Sequence, residues 1–264
     1  MTAPSRRLLA MEQRALFELG AMFAAAPLLR AMGRGDRHPV LVMPGFTADD
    51  DSTALLRFVL RGWGYWAHGW RLGSNLGPTT AAVDGMRARL DALHDRHGQK
   101  VSIIGWSLGG LFARGLARDS PDKVRQVITL GSPLQLGPED RTTASPIADR
   151  LRHRFDPAFL REPDHRQPLL PVPSTSIYSR TDGVVRWQIC LDVADAQHDN
   201  VEVRSSHIGL GFNPAALYVI ADRLSQPADA WRPFRPPPLL RRVFPPAASF
   251  QPHRTRRRRP SVRS

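Results

Sequence analysis

Residues 105–110 read Gly-Trp-Ser-Leu-Gly-Gly and follow directly on the apolar run Val101-Ser102-Ile103-Ile104. A serine between glycines, where a buried strand ends, can be held on a sharp strand-to-helix turn that exposes its hydroxyl. Gly105, Gly109 and Gly110 remove side chains that would collide with the neighbouring strand and helix. The helix that follows begins with its amides pointing back at the serine, an electropositive end. The chemistry this suits is covalent nucleophilic catalysis by Ser107. A hydroxyl is a poor nucleophile at neutral pH, so the reaction needs a histidine as base and a carboxylate to hold that histidine's tautomer.

Nine histidines compete for the first role. His207 follows a strand-like stretch and precedes the last helix; His198 lies before that stretch, at what should be its other end. His153 and His165 fall in a long insertion, and His38, His68, His94, His97 and His253 fit surface or connecting positions. For the carboxylate, Asp182 follows the strand-like "STSIYS" within "RTDGVV", with Gly183 allowing a tight turn. Asp192, Asp195 and Asp199 are rivals further along the connection. A turn carboxylate accepting backbone hydrogen bonds is the structural alternative for Asp182.

The elements that must position these residues alternate. Strands are expected at Val40–Met43, Gly64–Trp70, Val101–Trp106, Val124–Leu130, Ser174–Ser179 and Val201–Ser205. Helices are expected from Ser52, as a cap, through Gly62; from Pro78 to about His97; from Leu108 to about Arg118; and from Pro214 to Leu224. That rhythm predicts an α/β fold, a mostly parallel central sheet with helices on both faces. Residues 135–170 break it and are expected to form a small cap, with Ile147, Leu151, Phe155 and Phe159 at four-residue steps. The expected organisation is an amino-terminal helix within 1–37, a core over 38–225 and a tail over 226–264.

Four separated motifs, "VLVMPGF", "VSIIGWSLGG", "SIYSRTDGVV" and "SSHIGL", resemble the serine α/β-hydrolase superfamily, in particular its bacterial lipase- and esterase-like members. The resemblance spans about Val40 to Leu224. It implies the α/β-hydrolase fold, active-site loops at the carboxyl edge of the sheet, and the chain order Ser107, Asp182, His207 for the triad. His207 stands where the family carries its base. The backbone amides of Leu108 and Phe46 would form the oxyanion hole. Many relatives have a histidine where this chain has Pro44; the departure leaves the backbone donor intact. The single glycine before Phe46 resembles hydrolases of medium or longer acyl esters. A serine ester hydrolase working through an acyl-enzyme, with a small-molecule ester or lipid as substrate, is therefore expected. An acyltransferase would use the same intermediate with an alcohol or thiol in place of water. A tethering protein that keeps the fold without catalysis is the alternative of another class.

Composition narrows the rest. The net charge is +13, but ten arginines and no acid lie from Arg232 onward, leaving +3 for everything before. Proline-rich text of this kind reads as a disordered, solvated tail. Arg256 to Arg259 could meet an anionic membrane or nucleic acid through charge alone, with no specific nucleic-acid recognition expected. Near the amino end, Leu8, Met11, Ala15, Leu19 and Met22 recur at helical spacing up to Pro27, an amphipathic helix expected to pack on its own domain or lie on a membrane surface. Charges at Glu12, Arg14 and Glu18 interrupt any signal-peptide core, and a cytoplasmic or peripheral-membrane location is expected. With Cys190 the lone cysteine, no internal disulfide can form. Asp49, Asp50 and Asp51 read as a solvated loop; no metal and no cofactor are expected.

Overall fold

The computed structural model describes residues 2–32, 35–157, 159 and 166–250. Six strands, β1 (Pro39–Met43), β2 (Trp66–Gly69), β3 (Val101–Trp106), β4 (Val124–Leu130), β5 (Ser174–Tyr178) and β6 (His198–Glu202), form one sheet in the order β2-β1-β3-β4-β5-β6. Every pairing is parallel. β1 and β3 are buried at every position, as strands covered on both faces must be. Alternate residues feed opposite cores. Val40, Val42, Ile104 and Ile128 meet α2 (Ala15–Met32), α3 (Ala54–Gly62) and α7 (Pro214–Leu224). Leu41, Met43, Ile103 and Val127 meet α4 (Thr80–His97) and α5 (Leu108–Asp119).

Several boundaries differ from the sequence reading, each for a physical reason. β6 begins at His198 and ends at Glu202, three residues earlier than its apolar pattern indicates. Its polar residues take partners individually: His198 meets Asp195 and the Leu170 carbonyl, Asn200 pairs with Asp192, and the Oδ2 of Asp199 accepts the Phe234 amide. Ser52 does not cap α3. A 3-10 turn over Asp50–Thr53 precedes that helix, and Asp49 supplies the side-chain cap, to the Asp51 amide. The Pro78 helix starts two residues later, capped by Thr79.

The amino-terminal helix does not end at Pro27. α1 (Arg6–Ala10), a 3-10 turn (Met11–Arg14) and α2 run on to Met32 with Pro27 inside. Pro27 is exposed, so the carbonyl whose partner it removes lies on the solvent side, where the loss costs least.

Residues 226–250, expected to be disordered, are seated on the body. Phe244 is buried beside Tyr218 and Phe234, and the Ala248 amide donates to the Tyr178 hydroxyl at 2.7 Å. Arg256 to Arg259, His165 and His253 lie outside the described residues.

Among the described residues of the expected cap, α6 (Ser145–Leu151) is the α-helix. Phe155 and Phe159 of its stripe turn into a cavity, whereas Ile147 is exposed.

Candidate active site

Ser107 ends β3 and opens α5 in a backbone conformation, φ 53° and ψ −122°, that a residue with a Cβ rarely adopts. Its amide donates to the Leu130 carbonyl at 2.8 Å, which fixes the turn to the end of β4. The flanking glycines are obligatory at this closeness. A Cβ on Gly105 would stand 2.4 Å from the Gly109 oxygen, and one on Gly109 would stand 2.5 Å from the Met43 oxygen.

Asp182 and His207 are brought together. Asp182 is in the loop after β5 and His207 in the loop after β6, and the His207 Nδ1 donates to Asp182 Oδ2 at 2.6 Å. The other carboxylate oxygen, Oδ1, accepts the amides of Val184 and Val185 at 2.8 and 2.7 Å. Asp182 thus accepts from the imidazole on one oxygen and from the amides of its own turn on the other. The pair lies against Gly131, the residue after β4, where an added Cβ would be 3.0 Å from both Asp182 Oδ2 and His207 Nδ1. Ser107 is anchored one residue away, on Leu130. The Trp106 indole donates to the His207 carbonyl at 3.1 Å, joining the residue before the serine to the histidine. Burial lowers the His207 pKa, but the Asp182 charge and hydrogen bond, with a further contribution from Glu12, outweigh it and leave the pKa raised.

The rival residues have other occupations. Asp192 takes Arg114 in a buried two-pronged ion pair at 2.6 and 3.1 Å. Asp195 holds His198, and Asp199 takes the Phe234 amide. His38 is buried between Asp36 and Ser102, His68 faces His97 at 3.0 Å, and His153 contacts the Arg150 carbonyl. Of the acidic triplet, Asp50 takes the Trp70 and Arg71 amides. Among the described residues no cluster of three or more His, Cys, Asp or Glu could hold a metal ion.

The loop carrying Phe46 rests on the serine. A Cβ on Gly45 would be 3.2 Å from the Ser107 Cβ. Phe46, Ser107 and Leu108 line one cavity of about 460 Å³ with Leu111, Leu136 and Phe155. Asn75, which the sequence did not single out, braces this loop. Its side chain donates to the Pro44 carbonyl at 2.9 Å, its own carbonyl takes the Thr47 amide at 2.7 Å, and its amide reaches Ala48.

The sequence reading also missed the role of the amino-terminal segment. Glu12, read there only as an interruption of apolar text, is buried. Its Oε1 accepts the Gly183 and His207 amides at 2.8 and 3.0 Å, and Oε2 accepts the Ile208 amide at 3.0 Å. Arg14 donates to the Thr181 and Ser205 carbonyls. Glu18 accepts from the Ser206 amide and from Asn213. Thus one helical segment ties together the two loops bearing Asp182 and His207. Charged residues in otherwise apolar helical text were the available signal, since such groups are buried only when paired.

A parallel sheet, an elbow serine on its middle strands and an Asp–His pair on the following loops are the features of the α/β-hydrolase fold, and the comparisons agree. The family model for palmitoyl protein thioesterase matches residues 67–159, a span that includes the elbow. A structure described with the metagenome-derived lipolytic enzymes LipS and LipT is 18% identical, with a TM-score of 0.53, covering 72% of this chain and 93% of that one. The pyrethroid hydrolase of Sphingobium faniae JZ-2 is 17% identical, with a TM-score of 0.52 and coverages of 73% and 99%. A deformylase from Pseudomonas putida S16 is 18% identical, with a TM-score of 0.51 and coverages of 71% and 92%. No curated protein sequence matches the chain. The chain has the α/β-hydrolase fold, and the solved structures it resembles are described as those of lipolytic enzymes, a pyrethroid hydrolase and a deformylase.

Proposed function

We propose that the protein is a serine carboxylic ester hydrolase of the lipase and esterase kind. The observation that carries this reading is the 2.6 Å contact between His207 and Asp182, lying beside the anchor of a strained Ser107. In the proposed reaction His207 takes the Ser107 proton as the hydroxyl oxygen attacks the ester carbonyl. The amides of Phe46 and Leu108 receive the developing oxyanion. Collapse of the tetrahedral intermediate breaks the bond to the alcohol, which leaves with the proton from His207. Water then attacks the acyl-serine, again through His207, and the acid departs. The apolar part of the cavity wall beside Ser107, made by Phe46, Leu108, Leu111, Phe155 and Phe159, suits the acyl half of the substrate.

A thioester is the second reading, favoured by the match to the palmitoyl protein thioesterase model over residues 67–159. It uses the same acyl-enzyme and differs only in the leaving group. Acyl transfer to an alcohol is separated by whether a labelled acyl group passes to water or to an added acceptor. The test of the whole proposal is Ser107→Ala, assayed with p-nitrophenyl esters of graded length and with a fluorophosphonate probe. Loss of both turnover and labelling is expected; turnover at the native rate by the folded variant would overturn the assignment.

A further inference from the structure

The amino-terminal helix is inside out with respect to charge. Its three central charged residues, Glu12, Arg14 and Glu18, all bond to the loops after β5 and β6. Ala15, Met22 and Leu29 face the core at seven-residue steps. What remains on the outside of α2 is apolar: Leu16 is 75% exposed, Phe17 83%, Phe23 63% and Leu28 58%. At 3.6 residues per turn these four, with the glycine, alanines and proline between them, sweep an arc of about 160° that holds no charged or polar side chain. Large contiguous apolar surfaces are not left bare on a protein that has no use for them.

Electrostatics points to the occupant. The acids of residues 2–37 are all engaged within the protein: Glu12 and Glu18 on the active-site loops, Asp36 on His38 and Arg125. Arg6, Arg7 and Arg30, at the two ends of the helix, are exposed. An apolar stripe bracketed by cations fits a surface that is oily inside and anionic outside. From this we infer that the helix docks, lying flat, on an anionic lipid surface. The segment from Arg6 to Met32 is long and apolar enough to cross a membrane, but crossing would strip Glu12, Arg14 and Glu18 of their partners. The flat arrangement keeps those bonds. It also presents the active-site rim to the lipid, because Ile208, whose amide Glu12 holds, is itself half exposed, as are Leu9 and Met11. A soluble protein partner, or a second copy of the chain, has no comparable need for arginines at both ends.

The experiment uses the full chain and vesicles of phosphatidylcholine, alone or mixed with phosphatidylglycerol. The native protein is expected to sediment with the mixed vesicles. Phe17→Glu/Phe23→Glu, at exposed positions outside the active-site machinery, is expected to reduce the bound fraction at least tenfold. Its turnover of a short, water-soluble p-nitrophenyl ester should be unchanged, a readout that tests the hydrolase reading without any vesicle. Because Cys190 is buried, Phe17→Cys provides a single accessible thiol for an environment-sensitive fluorophore. Its emission should shift to the blue with mixed vesicles and stay constant without them. Three results would overturn the inference: a native protein that stays in the supernatant, a double variant that binds as the native protein does, or a dimer in solution that the double variant dissociates. The second would assign binding to other cations, the third would give the face to a second copy.

Discussion

The backbone amide of His207 donates to the Glu12 carboxylate at 3.0 Å, across a separation of 195 residues. The same carboxylate takes the Gly183 amide, next to Asp182, so both loops of the Asp–His pair hang on one buried anion. Its negative charge is one of the influences that raise the His207 pKa. Glu12→Gln removes that charge and turns an amide nitrogen towards at least one of three N–H donors. The imidazole pKa should fall. In the proposed reaction the base must be neutral to act, so the acid limb of kcat/KM should move to lower pH as the raised His207 pKa falls. A helix that merely supports the fold would lower activity without moving the limb. Loss of the charge-assisted bonds should also cost about 2–3 kcal/mol in stability, measured by denaturant unfolding. The sign for His207 itself follows: with its folded pKa raised above 6.5, its contribution to stability is complete below that pH and is lost as pH rises through the folded value.

Ser107 holds a conformation in which only glycine is unstrained. Ser107→Gly should therefore abolish ester turnover and yet raise stability by about 1 kcal/mol, the strain relieved being partly offset by glycine's greater chain entropy. Ser107→Ala keeps the strain and should leave stability within about 0.5 kcal/mol of native. Thermal unfolding of the two variants side by side checks the difference.

Much of this was legible. The strands Val101–Trp106 and Val124–Leu130 and the helix Pro214–Leu224 coincide with their sequence patterns because two-sided burial leaves unbroken apolar runs and proline marks helix starts. The elbow was legible because sterics allow so few residue types around it. β6 was misplaced because its residues are polar and take partners one at a time, some far off in sequence, which periodicity does not see. Asn75 and Glu12 were missed for the same reason: each acts on backbone groups of remote loops, and nothing local announces which carbonyl or amide they will meet. The order of residues 226–250 was hidden by proline-rich text, which excludes helices and sheet interiors but not an extended segment whose aromatic residues bury themselves on the body.

Gly131 supports the Asp–His pair from below, at φ 56°. Gly131→Ala forces a side chain into left-handed backbone and places its Cβ 3.0 Å from the two atoms of the Asp182–His207 hydrogen bond. Activity should fall, because the pair must give by a few tenths of an ångström and the left-handed backbone adds its own displacement, towards the about 100-fold loss that a misplacement of about 1 Å brings. The imidazole proton resonance in the bridging bond, expected far downfield by NMR in the native protein with its 2.6 Å contact, should move or broaden beyond detection. An intact resonance with native turnover would show that the pair yields without cost.

Gly115 of α5 lines the cavity that holds Ser107, and a Cβ placed on it would be 3.0 Å from the Phe159 ring. Gly115→Leu would carry three further carbons beyond that Cβ, into the space read here as the acyl site. Phe159 is only partly buried and can give by a few tenths of an ångström, so the fold should survive with a loss of about 1–3 kcal/mol. Long acyl chains have nowhere to withdraw: each methylene displaced from an apolar pocket is worth about 1–3 kcal/mol, or about 10- to 200-fold in discrimination. The ratio of kcat/KM for a long p-nitrophenyl ester over acetate should therefore drop by at least tenfold, carried by the long ester, while acetate turnover stays near native. Equal losses on both esters would instead mean that the substitution disturbs Ser107 itself, about two turns earlier at the start of the same helix. Loss of neither would place the acyl chain outside this cavity.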